Sequence, residues 1–128
     1  MSFAKTSLST HRAPEAIGPY SQATQAGPWL FLSGQIPLLP SGLLCPGGVR
    51  EQTQQVLQNL QAVLEAAGGS LDNIMQTTCF LCSLDDFQAF NEVYAQHFKA
   101  PFPARATVEV KALPKNALVE ISALACLG

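Results

Sequence analysis

The chain has 128 residues, 48% of them hydrophobic and only 12% charged, with a formal net charge of −2. That length suits one domain spanning residues 1–128 around one core, and so few solvating residues predict apolar surface shared between copies. The mild acidic balance argues against a nucleic-acid binder. No apolar run is long enough for a bilayer, and "MSFAKTSLST" lacks a signal-peptide core, so a cytoplasmic protein is expected.

Residues 21 to 38, "SQATQAGPWLFLSGQIPL", read as two extended runs broken at Gly27-Pro28, the second turning at Ser33-Gly34. "LLPSGLLCPGG", residues 38 to 48, holds two prolines and three glycines and reads as a loop. It is apolar for a loop and is expected to pack on something. Residues 50 to 67 carry Val56, Leu57, Leu60, Val63 and Leu64 on one face of a 3.6-residue period, with Gly68-Gly69 to end the helix. Its other face is mostly glutamine, expected to be solvated.

"NIMQTTCFLCS", residues 73 to 83, is β-branched and aromatic enough for a buried strand. Ser83 and Asp86 resemble a capping box opening a second helix, in which Phe87, Phe90, Tyr94 and Phe98 form a core stripe. Pro101 and Pro103 stop it, a strand follows at 104 to 110, "KALPKNA" makes a loop, and a last strand fills 118 to 127. Strands, helix, strand, helix and two strands make an α+β domain with a mixed sheet and both helices on one face.

Four cysteines invite a metal or redox reading, and Cys79 and Cys82 form C-x-x-C. On a strand that spacing points the two thiols to opposite faces, and His11 and His97 stand at no ligand-like spacing. Buried free thiols and no metal are expected.

Arg105, opening the strand "RATVEV", raises the functional question, because a guanidinium inside a fold needs an anion to face. If the two final strands pair as an antiparallel hairpin, Ala106, Val108 and Val110 face the helices with Val119, Ile121, Ala123 and Ala125. Arg105 and Glu120 then share the opposite face. On residues alone, a salt bridge to Glu120 or Glu109 and a site for a small anionic ligand both remain open.

"AIGPYSQA" (16 to 23), "FLSGQIPL" (31 to 38) and "PARATVEVKALPKNALVEISALA" (103 to 125) together resemble the RidA/YjgF/YER057c/UK-type family of small imine deaminases. The helical stretches "QVLQNLQAVLEAAGGSLDNIMQTT" and "DDFQAFNEVYAQHF" match as well, so the resemblance spans about residues 10 to 127. It implies a chorismate-mutase-like fold, a homotrimer with clefts between subunits, no cofactor, and hydrolysis of 2-imino acids. A typical substrate would be 2-aminoacrylate, and the products a 2-keto acid and ammonia. The family's catalytic arginine and glutamate fall on Arg105 and Glu120; its substrate-binding positions fall on Tyr20, Ser33, Gly34, Phe87 and Thr107. Two departures stand out: Thr107 replaces a frequent cysteine, and the loop at 38 to 48 is more apolar than the acidic family stretch. The rival readings are a non-catalytic module for carboxylate metabolites, a ribonuclease or translation inhibitor, and a redox-triggered chaperone.

Overall fold

The computed structural model describes residues 3–128. In chain order come β1 (Thr6–Leu8), β2 (Ala23–Ala26), β3 (Trp29–Gln35), α1 (Val49–Ala66), β4 (Ile74–Leu81), α2 (Phe87–His97), β5 (Ala104–Glu109) and β6 (Val119–Cys126). The strands form one mixed sheet in the order β1-β2-β3-β6-β4-β5, parallel only between β4 and β5. No described helix is long and apolar enough to cross a membrane.

The α1 stripe forms as its spacing predicts. Val56, Leu57, Leu60, Val63 and Leu64 are fully buried against Leu30, Leu32, Cys79, Leu81, Val119 and Ile121 of the sheet. Emptying one such position, for example by Leu60→Ala, removes about 2–5 kcal/mol of stability. The helix stops in a Schellman turn: Gly68 takes φ +83, its N–H reaches Glu65 O at 3.0 Å, and Gly69 N–H reaches Leu64 O at 2.8 Å. On the opposite face Gln54 and Gln58 are exposed. Gln52, one turn before Val56 on the apolar side, is buried, and its side-chain oxygen accepts the Leu118 N–H at 2.8 Å, fixing the chain just before β6. Buried Asn59 donates to Leu38 O at 2.9 Å and so anchors one end of the apolar loop. Only part of that loop packs: Leu38 is buried, while Leu43 is 69% exposed.

Ser83 caps a single 3-10 turn, Leu84–Asp86, accepting the Asp85 N–H, and that turn leads into α2. Phe90, Tyr94 and Phe98 of its stripe are buried, whereas Phe87 stays at the rim. Of the C-x-x-C pair, Cys79 is buried on β4 and Cys82, beyond the strand end, donates to Ala117 O.

The C-terminal strands correct the expected hairpin. β5 does not touch β6 in the sheet; it is the edge strand, parallel to β4, and β6 lies between β3 and β4. The reason is topological. The α2 crossover returns the chain in the direction of β4, so β5 adds in parallel at the open edge, and the following loop carries β6 to the far side of β4. The inner set of β6 holds, with Val119, Ile121 and Ala125 buried, but that of β5 inverts. Val108 is 43% exposed and Ala106 is exposed on the outer face, while Arg105 and Thr107 face the helices.

Candidate active site

Register places the two charged candidates. Thr77 of β4 stands opposite both Arg105 and Ala123, and Phe80 opposite both Val108 and Glu120. Paired residues share a face, and residues at odd spacing along β4 point oppositely. Arg105 is therefore on the helix side and Glu120 on the outer side. The expectation that they share a face is wrong, because it rested on a β5–β6 pairing that does not form.

The first cluster surrounds Arg105. Its guanidinium carbon sits 4.8 Å from the ring centre of Tyr94, 5.6 Å from that of Phe90 and 5.7 Å from that of Phe87. Among the described residues it pairs with no carboxylate: the ion pairs are Arg12–Glu65, Arg50–Glu92 and Lys99–Asp72. Glu109 is engaged elsewhere, accepting the Leu84 N–H at 2.9 Å. Aromatic faces attract a guanidinium through the ring quadrupole but do not use its N–H groups, so the donor edge of the fork stays available.

The surroundings carry further unused capacity. Thr107, two residues along β5 and opposite Cys79, has a buried hydroxyl oxygen with no partner, and so does the side-chain oxygen of Asn91 on α2. The Tyr94 hydroxyl and Thr77 Oγ1 are 2.7 Å apart, and burial pushes the phenol pKa up, keeping it neutral. Burial likewise raises the Cys79 thiol, against weaker lowering by Thr77, Arg105 and Thr107, so it is no ready nucleophile.

The second cluster lies across the sheet. β3 carries an irregularity between Leu32 and Gln35, and Ser33 and Gly34 occupy it. A methyl group built on Gly34 would collide with Glu120 Oε2 and stand 2.9 Å from Glu120 Cδ, so the missing side chain makes room for that carboxylate. Burial raises the carboxyl pKa of Glu120. Ser33 donates its N–H to Gln22 O at 3.0 Å and its hydroxyl to Ser21 O at 2.6 Å. Gln22, itself buried, bonds Thr10 and Pro14, tying the N-terminal segment to β3. Tyr20 is half exposed, its hydroxyl accepting the Ile17 N–H at 3.2 Å. A recess of about 440 Å³ has Tyr20 and Ser21 in its wall but neither Arg105 nor Glu120.

The predicted site residues thus divide in two. Arg105, Phe87 and Thr107 group on the helix side at the free sheet edge; Glu120, Gly34 and Ser33 group around the irregular end of β3, with Tyr20 on the adjoining segment. Tyr94, whose spacing reads as core, and Thr77, which no local pattern marks, complete the Arg105 surroundings. One signal was available: a tyrosine in a stripe of phenylalanines has a polar tip that must find a partner. Among the described residues there is no cluster of three or more His, Cys, Asp or Glu side chains suited to a metal ion.

Residues 10–127 match the family model described as Endoribonuclease L-PSP. The chain is 49% identical over 122 residues to RutC family protein PH0854 of Pyrococcus horikoshii, covering 94% of this chain and 97% of that one. It is 48% identical, again over 122 residues, to the 2-iminobutanoate/2-iminopropanoate deaminase of Homo sapiens, covering 94% and 89%. Among solved structures, Escherichia coli TdcF with bound serine superposes with a TM-score of 0.90 at 41% identity, covering 96% of this chain and 99% of that one. With its sheet order, its two helices and nearly its whole length matched, the chain belongs to the RidA/YjgF family.

Proposed function

We propose that the chain is a deaminase of 2-imino acids, hydrolysing species such as the imine of 2-aminoacrylate to a 2-keto acid and ammonia. The observation that carries this reading is Arg105: a cation in an aromatic box, with no carboxylate partner among the described residues and a free donor edge. A planar fork of that kind suits a carboxylate held by two parallel N–H···O bonds. The names of the human and other curated relatives, and the serine bound in TdcF, an amino acid with the same carboxylate, point the same way.

In this reading Arg105 fixes the carboxylate and hence the neighbouring C=N carbon. Glu120 orients a water and takes its proton as the oxygen adds to that carbon. The substrate enters as the iminium, so the C=N electron pair that moves to nitrogen leaves a neutral amine whose N–H groups donate to the Gly34 carbonyl and the Thr107 hydroxyl oxygen. Glu120 then passes the water proton to that nitrogen, and ammonia leaves with the C–N bond pair. An oxygen lone pair closes the C=O bond as the hydroxyl proton passes to Glu120 and on to solvent. Tyr20, Ser33 and Phe87 wall the pocket. Imines hydrolyse readily in water, so a bound imine with a water aligned by Glu120 suffices for a useful acceleration.

Arg105 and Glu120 on opposite faces of one sheet do not meet on one small substrate within a protomer. The reading therefore includes a chorismate-mutase-like homotrimer, each cleft taking Arg105 from one copy and Glu120 from its neighbour. The outer sheet face, with Trp29, Phe31 and Val108 exposed, is apolar enough to be covered in such an assembly. Nucleic-acid cleavage is not favoured, since the chain is acidic overall with seven basic residues.

The test generates 2-aminoacrylate from serine with a pyridoxal-phosphate dehydratase and follows ammonia release against semicarbazone trapping. The protein is expected to accelerate ammonia release. Arg105→Ala, folded and assembled, is expected to lower kcat/KM by about two orders of magnitude. No acceleration by the unmodified protein refutes the reading.

A further inference from the structure

Arg105 is held by an arrangement indexed to its own rung of the sheet. Thr77, fully buried, stands directly opposite Arg105 in the β4–β5 register. The same Thr77 shares a 2.7 Å hydrogen bond with Tyr94 of α2, and the Tyr94 ring is the one nearest the guanidinium. That ring is also clamped between Phe90 and Phe98, with ring centres 5.6 and 4.5 Å away. A buried hydroxyl needs a partner somewhere, but here the partner sets the ring's height along β4 to match the arginine beside it.

We propose that Tyr94 is the positioning residue for the substrate-gripping arginine, with the Thr77–Tyr94 hydrogen bond locking the aromatic shelf on which the guanidinium lies. The inference rests on the deaminase reading for the identity of the anion, not for the geometry. An arginine side chain has several rotatable bonds, and an unsupported one samples many directions at an entropic cost on binding. Against a fixed ring its plane is set beforehand, so its donor edge meets a carboxylate in one orientation. The grip is the same before and during hydrolysis, so loosening it raises KM more than it lowers kcat.

The experiment uses the full-length assembled protein and two readouts. One is kcat and KM with imine generated in situ. The other is equilibrium titration with pyruvate, followed through the Arg105 side-chain Nε–H resonance. Tyr94→Phe keeps the ring and removes the hydroxyl; Thr77→Val removes its partner; Tyr94→Leu removes the shelf. Each of the first two is expected to weaken pyruvate binding and raise KM by about threefold, and Tyr94→Leu by about tenfold, with kcat within about twofold throughout. The Tyr94→Phe/Thr77→Val double variant is expected to be no worse than either single, because both act through one hydrogen bond. Pyruvate affinity unchanged in Tyr94→Leu, or in the two conservative variants where Tyr94→Leu does not fold, overturns the inference. So does a loss confined to kcat. If the unmodified protein does not deaminate, the functional reading falls, and the pyruvate titration still decides the role of Tyr94.

Discussion

Mixing two inactive variants tests the division of the site between protomers. On the proposed reading Arg105→Ala removes the carboxylate grip and Glu120→Gln removes the base, and each variant alone is expected to be nearly inactive. The register puts Arg105 with Thr77 and Glu120 with Phe80, on opposite sheet faces, so on that proposed reading a working cleft draws one residue from each of two copies. Co-refold the variants at equal amounts so that subunits assort at random. A cleft works when the copy supplying the arginine is the Glu120→Gln chain and the copy supplying the glutamate is the Arg105→Ala chain. Each condition holds half the time, so about a quarter of the clefts are restored in a closed cyclic assembly. In a mixed trimer that is one cleft of the three. The assay is ammonia release from in situ 2-aminoacrylate, with the unmixed variants and a blend of preassembled trimers as controls. Recovery near one quarter of wild-type activity supports the argument. Activity no greater than the sum of the controls refutes it, since both residues would then have to come from one chain.

Four further outcomes follow from named contacts. Gly34→Ala places a methyl group against the Glu120 carboxylate, so kcat is expected to drop at least about tenfold while the melting temperature moves little, read by kinetics beside calorimetry. Burial raises the Glu120 pKa, so kcat/KM is expected to fall as pH drops through a value above that of an ordinary glutamate, and Glu120→Gln removes that acid limb. For stability the sign is opposite. The folded state holds the proton more tightly, so Glu120 favours folding at low pH and loses that contribution as pH rises through its folded pKa; chemical unfolding of Glu120→Gln across this range is expected to show less of the decline. Gln22→Ala leaves the Thr10 N–H and the Pro14 carbonyl without their partner and is expected to cost about 1–3 kcal/mol by chemical denaturation.

Much of the fold was legible because hydrophobic period is a local property. The α1 face from Val56 to Leu64, the glycine stop at Gly68 and the apolar set Val119, Ile121 and Ala125 are where spacing puts them. β1, with three residues, was too short to carry a pattern. Period also says which side chains of a strand travel together, and it kept Arg105 with Thr107 and Glu120 with Ser122. It does not say which of the two sets turns inward. That depends on neighbours, and on β5 the small apolar set, Ala106 and Val108, is the one on the outer face.

By itself the sequence determined the strands from β2 onward, and α1 to within a residue at each end, whereas α2 ends at His97, short of the stop at Pro101. Tertiary structure alone decided that β5 adds to the edge of β4, that Arg105 lies among three rings of α2, and that Glu120 stands over Gly34 on the far face. The physical reason is that strand pairing is settled by crossover direction and by edges left open elsewhere in the chain. These are non-local facts, and no window of residues around Arg105 contains them.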